Sequence, residues 1–443
     1  MKRAVVLYFA ADVTSLLGNA AIGLTLPWLV LLRTGDASAA GIVAAATAAP
    51  AFLAAVLGGS LVDRVGRRTM TIVADVGSAI SVTLLFVVDS TLGLSLGWFI
   101  ALGVLGALFD VPGMTARQAM LPEIAELAGM TIDRASGIRQ ALFGASFLAG
   151  PALAGTALAL LPPATVLLLT AGCSALAAAL TIALPRALGR APADVEARTG
   201  IRAGFTILRT NPVALATTLL AVGSVFAISP LQAVVLPVVF QRLAQPVLLG
   251  LTLSVFAVGL IGGSLAYGVL RAPRRSILVV ALLVSLTGLC GFAVAPVGGV
   301  IVASAVLVGV GYGLINPMIP VLIAERVPEA ARGRVLGLQN AGYLAAFPLG
   351  ALLVGFLVQH AGVQWGAAAS AVAWGLCVAY ALATPALRQL EPGEPLLETR
   401  ADGRPLVAED RVDRGVAPRT VGAGVGAAQH SLELRAELED RRA

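Results

Sequence analysis

Apolar runs of about 20 residues recur along this chain from its first residues to Pro385, and that recurrence limits the fold more than any other feature. Each run is long enough to cross the roughly 30 Å hydrocarbon layer of a bilayer as a helix. The composition agrees: 58% of the residues are hydrophobic, 12% are charged and the mean hydropathy is +0.92, more apolar side chain than a soluble domain carries. The fold class is therefore an all-α polytopic membrane protein.

Twelve spans are predicted, over 4–32, 38–62, 69–89, 93–115, 134–160, 164–185, 213–241, 247–270, 276–295, 299–324, 334–359 and 363–385. Turn residues punctuate them, among them Thr34-Gly35-Asp36, Pro162-Pro163 and His360-Ala361-Gly362. The first run follows Lys2 and Arg3 but contains Asp12 and Asn19 and leads straight into further spans, so it reads as a helix that stays and not as a cleaved leader.

Charge placement checks the count, because cytoplasmic loops hold the excess of Lys and Arg. Of the 21 such residues before position 386, 19 fall on one side of a twelve-span layout and only Arg33 and Arg242 on the other. Both termini are thus expected in the cytoplasm of a cell that carries the protein in its inner or plasma membrane. The net charge of +6 is this topological bias, and nucleic acid is not an expected partner.

The chain also repeats itself. Gly58-Gly59-Ser60-Leu61 returns as Gly262-Gly263-Ser264-Leu265, each near the end of the second span of its half and each followed by a basic turn. At an offset of 200 residues, Arg134, Gly137, Gly150 and Gly155 match Arg334, Gly337, Gly350 and Gly355. Two pseudo-symmetric halves of six helices are expected, 1–185 and 213–385, joined by a cytoplasmic linker over 186–212 and followed by a flexible cytoplasmic tail over 386–443. In the linker, Ile201 to Arg209 suits either a short helix on the membrane surface or a passive connector. The tail carries 9 Arg against 11 acidic residues, and its Gly422-Ala423-Gly424-Val425-Gly426 reads as linker.

Several chemistries lack material. Lys2 is the only lysine, which removes a Walker A loop. With two histidines, His360 and His430, and three scattered cysteines, a metal centre or a hydrolytic triad is not expected, and no cofactor is. The chain is not read as an enzyme.

What remains is the small set of polar groups at membrane depth, where each is costly and so a functional candidate. Asp12, Ser15 and Asn19 fall on one face of the first helix. Asp12 is a candidate for proton coupling, or else a structural partner of Arg139 or Arg117. Asp36 and Asp89 sit at outer helix ends and are expected to be solvated. Few charges and many apolar groups inside the spans point to a hydrophobic or amphipathic substrate.

The turn from Gly58 to Arg68 resembles the signature between helices 2 and 3 of the major facilitator superfamily, with Gly59, Asp63, Arg64, Gly66, Arg67 and Arg68 at the signature positions. The first two helices, with Ser15-Leu16-Leu17-Gly18, Leu26-Pro27-Trp28 and Thr34-Gly35, look like the branch of macrolide-efflux and siderophore-exporter proteins. In helix 5, Gly150-Pro151-Ala152-Leu153-Ala154-Gly155 is similar to the GPxxGG element of proton-coupled drug exporters, with Ala154 in place of a glycine. The resemblance implies a gate in which Asp63 latches the cytoplasmic side and Asp110 pairs with Arg67 or Arg117. It also implies a cavity lined by helices 1, 4, 7 and 10, which makes Asn19, Gln232 and Asn316 candidate substrate contacts. Because the second basic turn, Tyr267 to Arg275, lacks an aspartate, the gating chemistry is expected in the first half.

The expected function is secondary active transport by alternating access, a proton-coupled exporter of a drug or secreted metabolite. Its partners are a small-molecule substrate, protons and the lipid bilayer, with the chain as a monomer. The competing expectations are a non-transporting sensor or scaffold on the same fold, and an importer of a small neutral solute.

Overall fold

The computed structural model describes residues 2–185, 188, 205, 208–294, 298–327, 329–388 and 390, with side chains described at all of these except 2, 49, 55–61, 63, 133, 329–331, 333 and 334. Among these residues every long element is helical and twelve helices are long and apolar enough to cross a membrane. The first group is α1 (Lys2–Thr34), α2 (Ala37–Val65), α3 (Arg67–Thr91), α4 (Leu96–Ala119), the short α5 (Leu121–Ala128), α6 (Ile132–Leu160) and α7 (Pro163–Ile182). The second is α8 (Pro212–Arg242), α9 (Pro246–Val269), α10 (Arg274–Val294), α11 (Gly298–Arg326), α12 (Glu329–Ala361) and α13 (Val363–Ala383). All but α5 are spans. The expected linker falls mostly outside the described residues. There the Arg209 guanidinium lies 5.4 Å from the Phe205 ring centroid. The expected tail lies outside them from residue 391 on, Gly422 to Gly426 included.

The basic turn between α2 and α3 is a single residue wide. Gly66 has φ 90° and ψ 140°, a region open in practice only to glycine. Its N–H donates to the Val62 carbonyl at 2.9 Å and its carbonyl accepts from the Met70 N–H at 2.9 Å, so one residue ends one helix and starts the next. The arginines that follow are fixed by what they reach. Arg67 donates to Glu123 Oε1 on α5 at 3.0 Å, and Arg68 donates to the Ile182 carbonyl at 2.7 Å, supplying a donor to the last turn of α7 where carbonyls lack intrahelical partners. Gly66→Ala is expected to cost about 1–3 kcal/mol of stability through backbone strain, read as a lower unfolding midpoint in detergent, with no helix lost.

Three local features differ from expectation. The 115–134 segment, expected as a loop, holds α5, an amphipathic helix that buries Leu121 and Ile124 against the cluster containing Tyr8 and Ala135 and closes on Gly129 at φ 63°. Asp36 is not simply solvated: its carboxylate caps α2, accepting from the Ser38 N–H at 2.7 Å and the Ser38 hydroxyl at 2.6 Å. Asp89 is not solvated either. Its side chain is buried and pairs with Arg33 at 2.7 Å, tying the ends of α1 and α3.

Small residues let the two groups of six approach closely at the arginine-poor end. The Ala37 N–H donates to Gln359 Oε1 at 2.8 Å, and a Cβ on Gly41 would strike the Ala351 backbone. On the other contact, a Cβ on Gly155 would strike the Pro246 carbonyl and one on Gly250 the Pro151 carbonyl. The Ser254 hydroxyl donates to the Leu148 carbonyl at 2.6 Å. Toward the arginine-rich end, Gly137 on α6, Gly262 and Gly268 on α9 and Gly337 on α12 have open space where a Cβ would stand.

Candidate functional site

A cavity of about 340 Å³ lies between the two groups of helices. Its wall is built from α1, α2, α6, α8, α9 and α12. Leu24, Leu26, Val30, Val43, Phe147 and Phe347 supply most of the apolar surface, while Asn19, Gln232 and Thr47 bring polar atoms to it. Among the described residues no charged side chain lines it.

Two of the three expected contacts, Asn19 and Gln232, are brought together in this wall. Asn316 is not: it is exposed on α11 and outside the lining. The expected set of lining helices also changes, since α2, α6, α9 and α12 contribute and α4 and α11 do not. The reason is geometric. With the arginine-poor end closed, α2 and α12 meet along one side and α6 and α9 along the other, and their side chains complete the wall.

Gln232 owes its position to a break in α8. Residues Leu231–Val235 form a π turn, the kind of local widening that recurs at functional sites. It follows Pro230 and precedes Pro237, and a proline removes one ladder hydrogen bond and crowds the preceding turn. The helix-5 element acquires a physical role as well. Gly150 packs on Ala20 of α1 so closely that a Cβ would collide with it, Pro151 lines the cavity, and Gly155 seats α9. Ala154 is buried, and its methyl fits where the resembling element carries a glycine.

About two turns along α1 from Asn19 lies a buried charge cluster. Asp12 is 1% exposed and faces two guanidiniums, Arg139 Nε at 3.2 Å and Arg117 Nε at 4.0 Å. Arg117, itself buried, also donates to Asp75 Oδ2 on α3, whose other oxygen accepts from the Ser15 hydroxyl at 3.3 Å. The Tyr8 hydroxyl donates to the Arg117 backbone carbonyl at 2.8 Å. Four helices, α1, α3, α4 and α6, thus meet at one polar knot in an otherwise apolar bundle. Within it the Asp12–Arg139 contact is an ion pair without an aligned hydrogen bond at either Asp12 Oδ2 or Arg139 Nε.

Asp110 does not pair as the resemblance implied. Arg67 is engaged by Glu123 and Arg117 by Asp75 and Asp12, and no basic side chain among the described residues pairs with Asp110, which faces Ser78 and Asp75. The side chain of Asp63 lies outside the described residues, as does the surrounding of Gly59, while Arg64 is exposed at the end of α2. The second half is not bare of such chemistry. Arg274, at the start of α10, makes a two-pronged pair with Glu325 at 2.6 and 2.8 Å.

A bundle of twelve spans in two groups of six around a central cavity defines a membrane transporter. Comparison with known proteins makes the class specific. The family model described as Major Facilitator Superfamily matches residues 8–244 and 230–427. The chain belongs to the major facilitator superfamily, a family of membrane transporters and not of enzymes. It is 32% identical over 397 residues to the multidrug efflux pump Tap of Mycolicibacterium fortuitum, covering 86% of this chain and 95% of that protein. It is 35% identical over 382 residues to Tap of Mycobacterium tuberculosis, covering 82% and 89%. Among solved structures, the nucleoside transporter NupG superposes with a TM-score of 0.69 at 15% identity, covering 88% of this chain and all of that one. A D-xylose-proton symporter gives 0.66 at 15% identity, covering 85% and 97%. At such identities the likeness concerns the fold.

Proposed function

We propose that this chain exports hydrophobic or amphipathic small molecules across the cell membrane in exchange for protons, with both termini in the cytoplasm and as a monomer. The observation that carries the reading is the cavity, apolar and aromatic in most of its wall, with two amides and no charge. Such a wall accepts varied apolar solutes and orients them through few hydrogen bonds. The relatives named as multidrug efflux pumps support the substrate class and the direction. A branch shared with macrolide and siderophore exporters fits the same cavity. Close packing at the arginine-poor end fits the cytoplasm-facing state of an alternating-access cycle, in which the halves rock about a midplane site. The signature residues Gly59, Asp63, Arg64, Gly66, Arg67 and Arg68 then form the cytoplasmic gate.

The test is accumulation of a panel of lipophilic fluorescent dyes in cells with and without the protein, each with and without a protonophore. Lower accumulation that the protonophore reverses is the expected result, and equal accumulation in both cell lines sinks the reading. The amides make a finer expectation. Asn19→Ala and Gln232→Ala should each weaken export of compounds that hydrogen-bond by up to about tenfold, from a hydrogen bond of about 0.5–1.5 kcal/mol. Purely hydrocarbon-faced dyes should leave at the original rate, and dose-response curves for the two compound sets measure the split.

A further inference from the structure

Among the described residues three carboxylates and two guanidiniums gather inside the first six spans: Asp12, Asp75 and Asp110 against Arg117 and Arg139. Arginine stays charged in proteins. Three ionised carboxylates would therefore leave one uncompensated negative charge at membrane depth, where such a charge is expensive. A single proton balances the cluster, and the geometry distinguishes where it sits. Asp12 has both guanidiniums, and Asp75 has Arg117 and the Ser15 hydroxyl. Asp110 has a hydroxyl and another carboxylate, Ser78 and Asp75.

The neighbours on each packed element point the same way. From α3 the group facing Asp110 is Asp75, and beyond it on α1 lies Asp12; on α5, Glu123 is held by Arg67. On α2, Arg64 is exposed and the Asp63 side chain lies outside the described residues. Access separates the three carboxylates further. Asp12 and Asp75 are 1% and 6% exposed, whereas Asp110 keeps part of its surface uncovered by the bundle.

We propose that Asp110 is the proton carrier of this transporter, at a site separate from the cavity that takes the substrate, and that Asp12 and Asp75 stay ionised as the anchors of Arg117 and Arg139. The inference rests on the proton-coupled reading above and assigns its proton to a residue. In each cycle Asp110 takes one proton from the outer side and returns its carboxylate by releasing that proton to the cytoplasm. Two helices join the sites. α1 carries Asp12 and, seven residues or about 10 Å on, Asn19 of the cavity wall. α6 carries Arg139 and, about 12 Å on, Phe147 of the same wall. A substrate that spreads or draws together α1 and α6 thereby acts on the Asp12–Arg139 ion pair. By linkage, substrate and proton must then alter each other's affinity by the same factor.

The experiment is infrared difference spectroscopy of the full-length protein in liposomes, titrated through neutral pH. The wild type should show a protonated-carboxyl C=O band that disappears as pH rises. Asp110→Asn should lose that band, and Asp110→Glu should retain one at a displaced frequency. A wild type without such a band overturns the proposal, as does an unchanged band in Asp110→Asn. Should Asp110→Asn fail to fold, the glutamate variant decides alone, since an undisplaced band overturns the proposal. The band reports the proton whether or not the chain exports. Dye efflux that ignores a protonophore would therefore defeat the proton-driven reading without touching the band, and the two failures remain distinct.

Discussion

Arg117→Ala is expected to be the most destabilising single change in the bundle, costing about 3–5 kcal/mol, because it leaves buried carboxylates without their cation. Arg117 is 4% exposed and joins Asp75 to Asp12, so its removal strands charge on two helices at once. Equilibrium unfolding in mixed micelles measures the loss. The double variant Arg117→Ala/Asp75→Ala should recover a large part of it, since an unpaired charge goes with its partner. If the single variant is as stable as wild type, the cluster is not the polar knot described here. A double variant no better than the single one assigns the cost to lost packing of the long arginine stem instead.

Gly155→Leu and Gly250→Leu test the closed end. Each glycine lies where a Cβ would strike backbone of the opposite half, the Pro246 and Pro151 carbonyls, and backbone cannot rotate aside as a side chain can. Overpacking of this kind costs about 1–3 kcal/mol, and here it is levied on one conformation. The equilibrium should shift about 5- to 150-fold toward the state open on the arginine-poor side, with export nearly abolished and membrane insertion normal. The readout is the labelling rate of Asn19→Cys by an impermeant thiol reagent added to that side, in a background lacking Cys173, Cys290 and Cys377. Faster labelling is expected, and an unchanged rate would show that these contacts do not close the pathway.

Much of the architecture is legible in the sequence because its causes are local. Apolar length places all twelve spans to within a few residues, and Gly66 falls where a one-residue turn demands a positive φ. Features that depend on who meets whom are not legible in the same way. The pairing of Asp12 with Arg139 and Arg117 is one of the alternatives open in the sequence and is the one the structure shows, but Asp75 and Arg117 are 42 positions apart, and nothing in their spacing alone shows that Arg117 also turns to Asp75 and leaves Asp110 without a cation. The pairing of Asp89 with Arg33 is hidden for the same reason. Two misses did leave a signal. Pro230 and Pro237 bracket Gln232 and announce a disturbed helix, and Leu121, Ile124 and Ala125 after Met120 carry the spacing of one buried helical face. Asn316 shows the opposite error, a polar residue beside a proline whose helix turns it away from the cavity.

The uncharged cavity and the separate charge cluster together imply that substrate and proton occupy different places and are exchanged across the membrane by one rocking bundle. Inside-out membrane vesicles holding this protein test that most directly. With an imposed pH gradient, acid inside, the vesicles should accumulate a lipophilic dye, and collapsing the gradient with a protonophore should release it. Uptake equal to that of vesicles lacking the protein, or uptake unmoved by collapsing the gradient, would contradict the account.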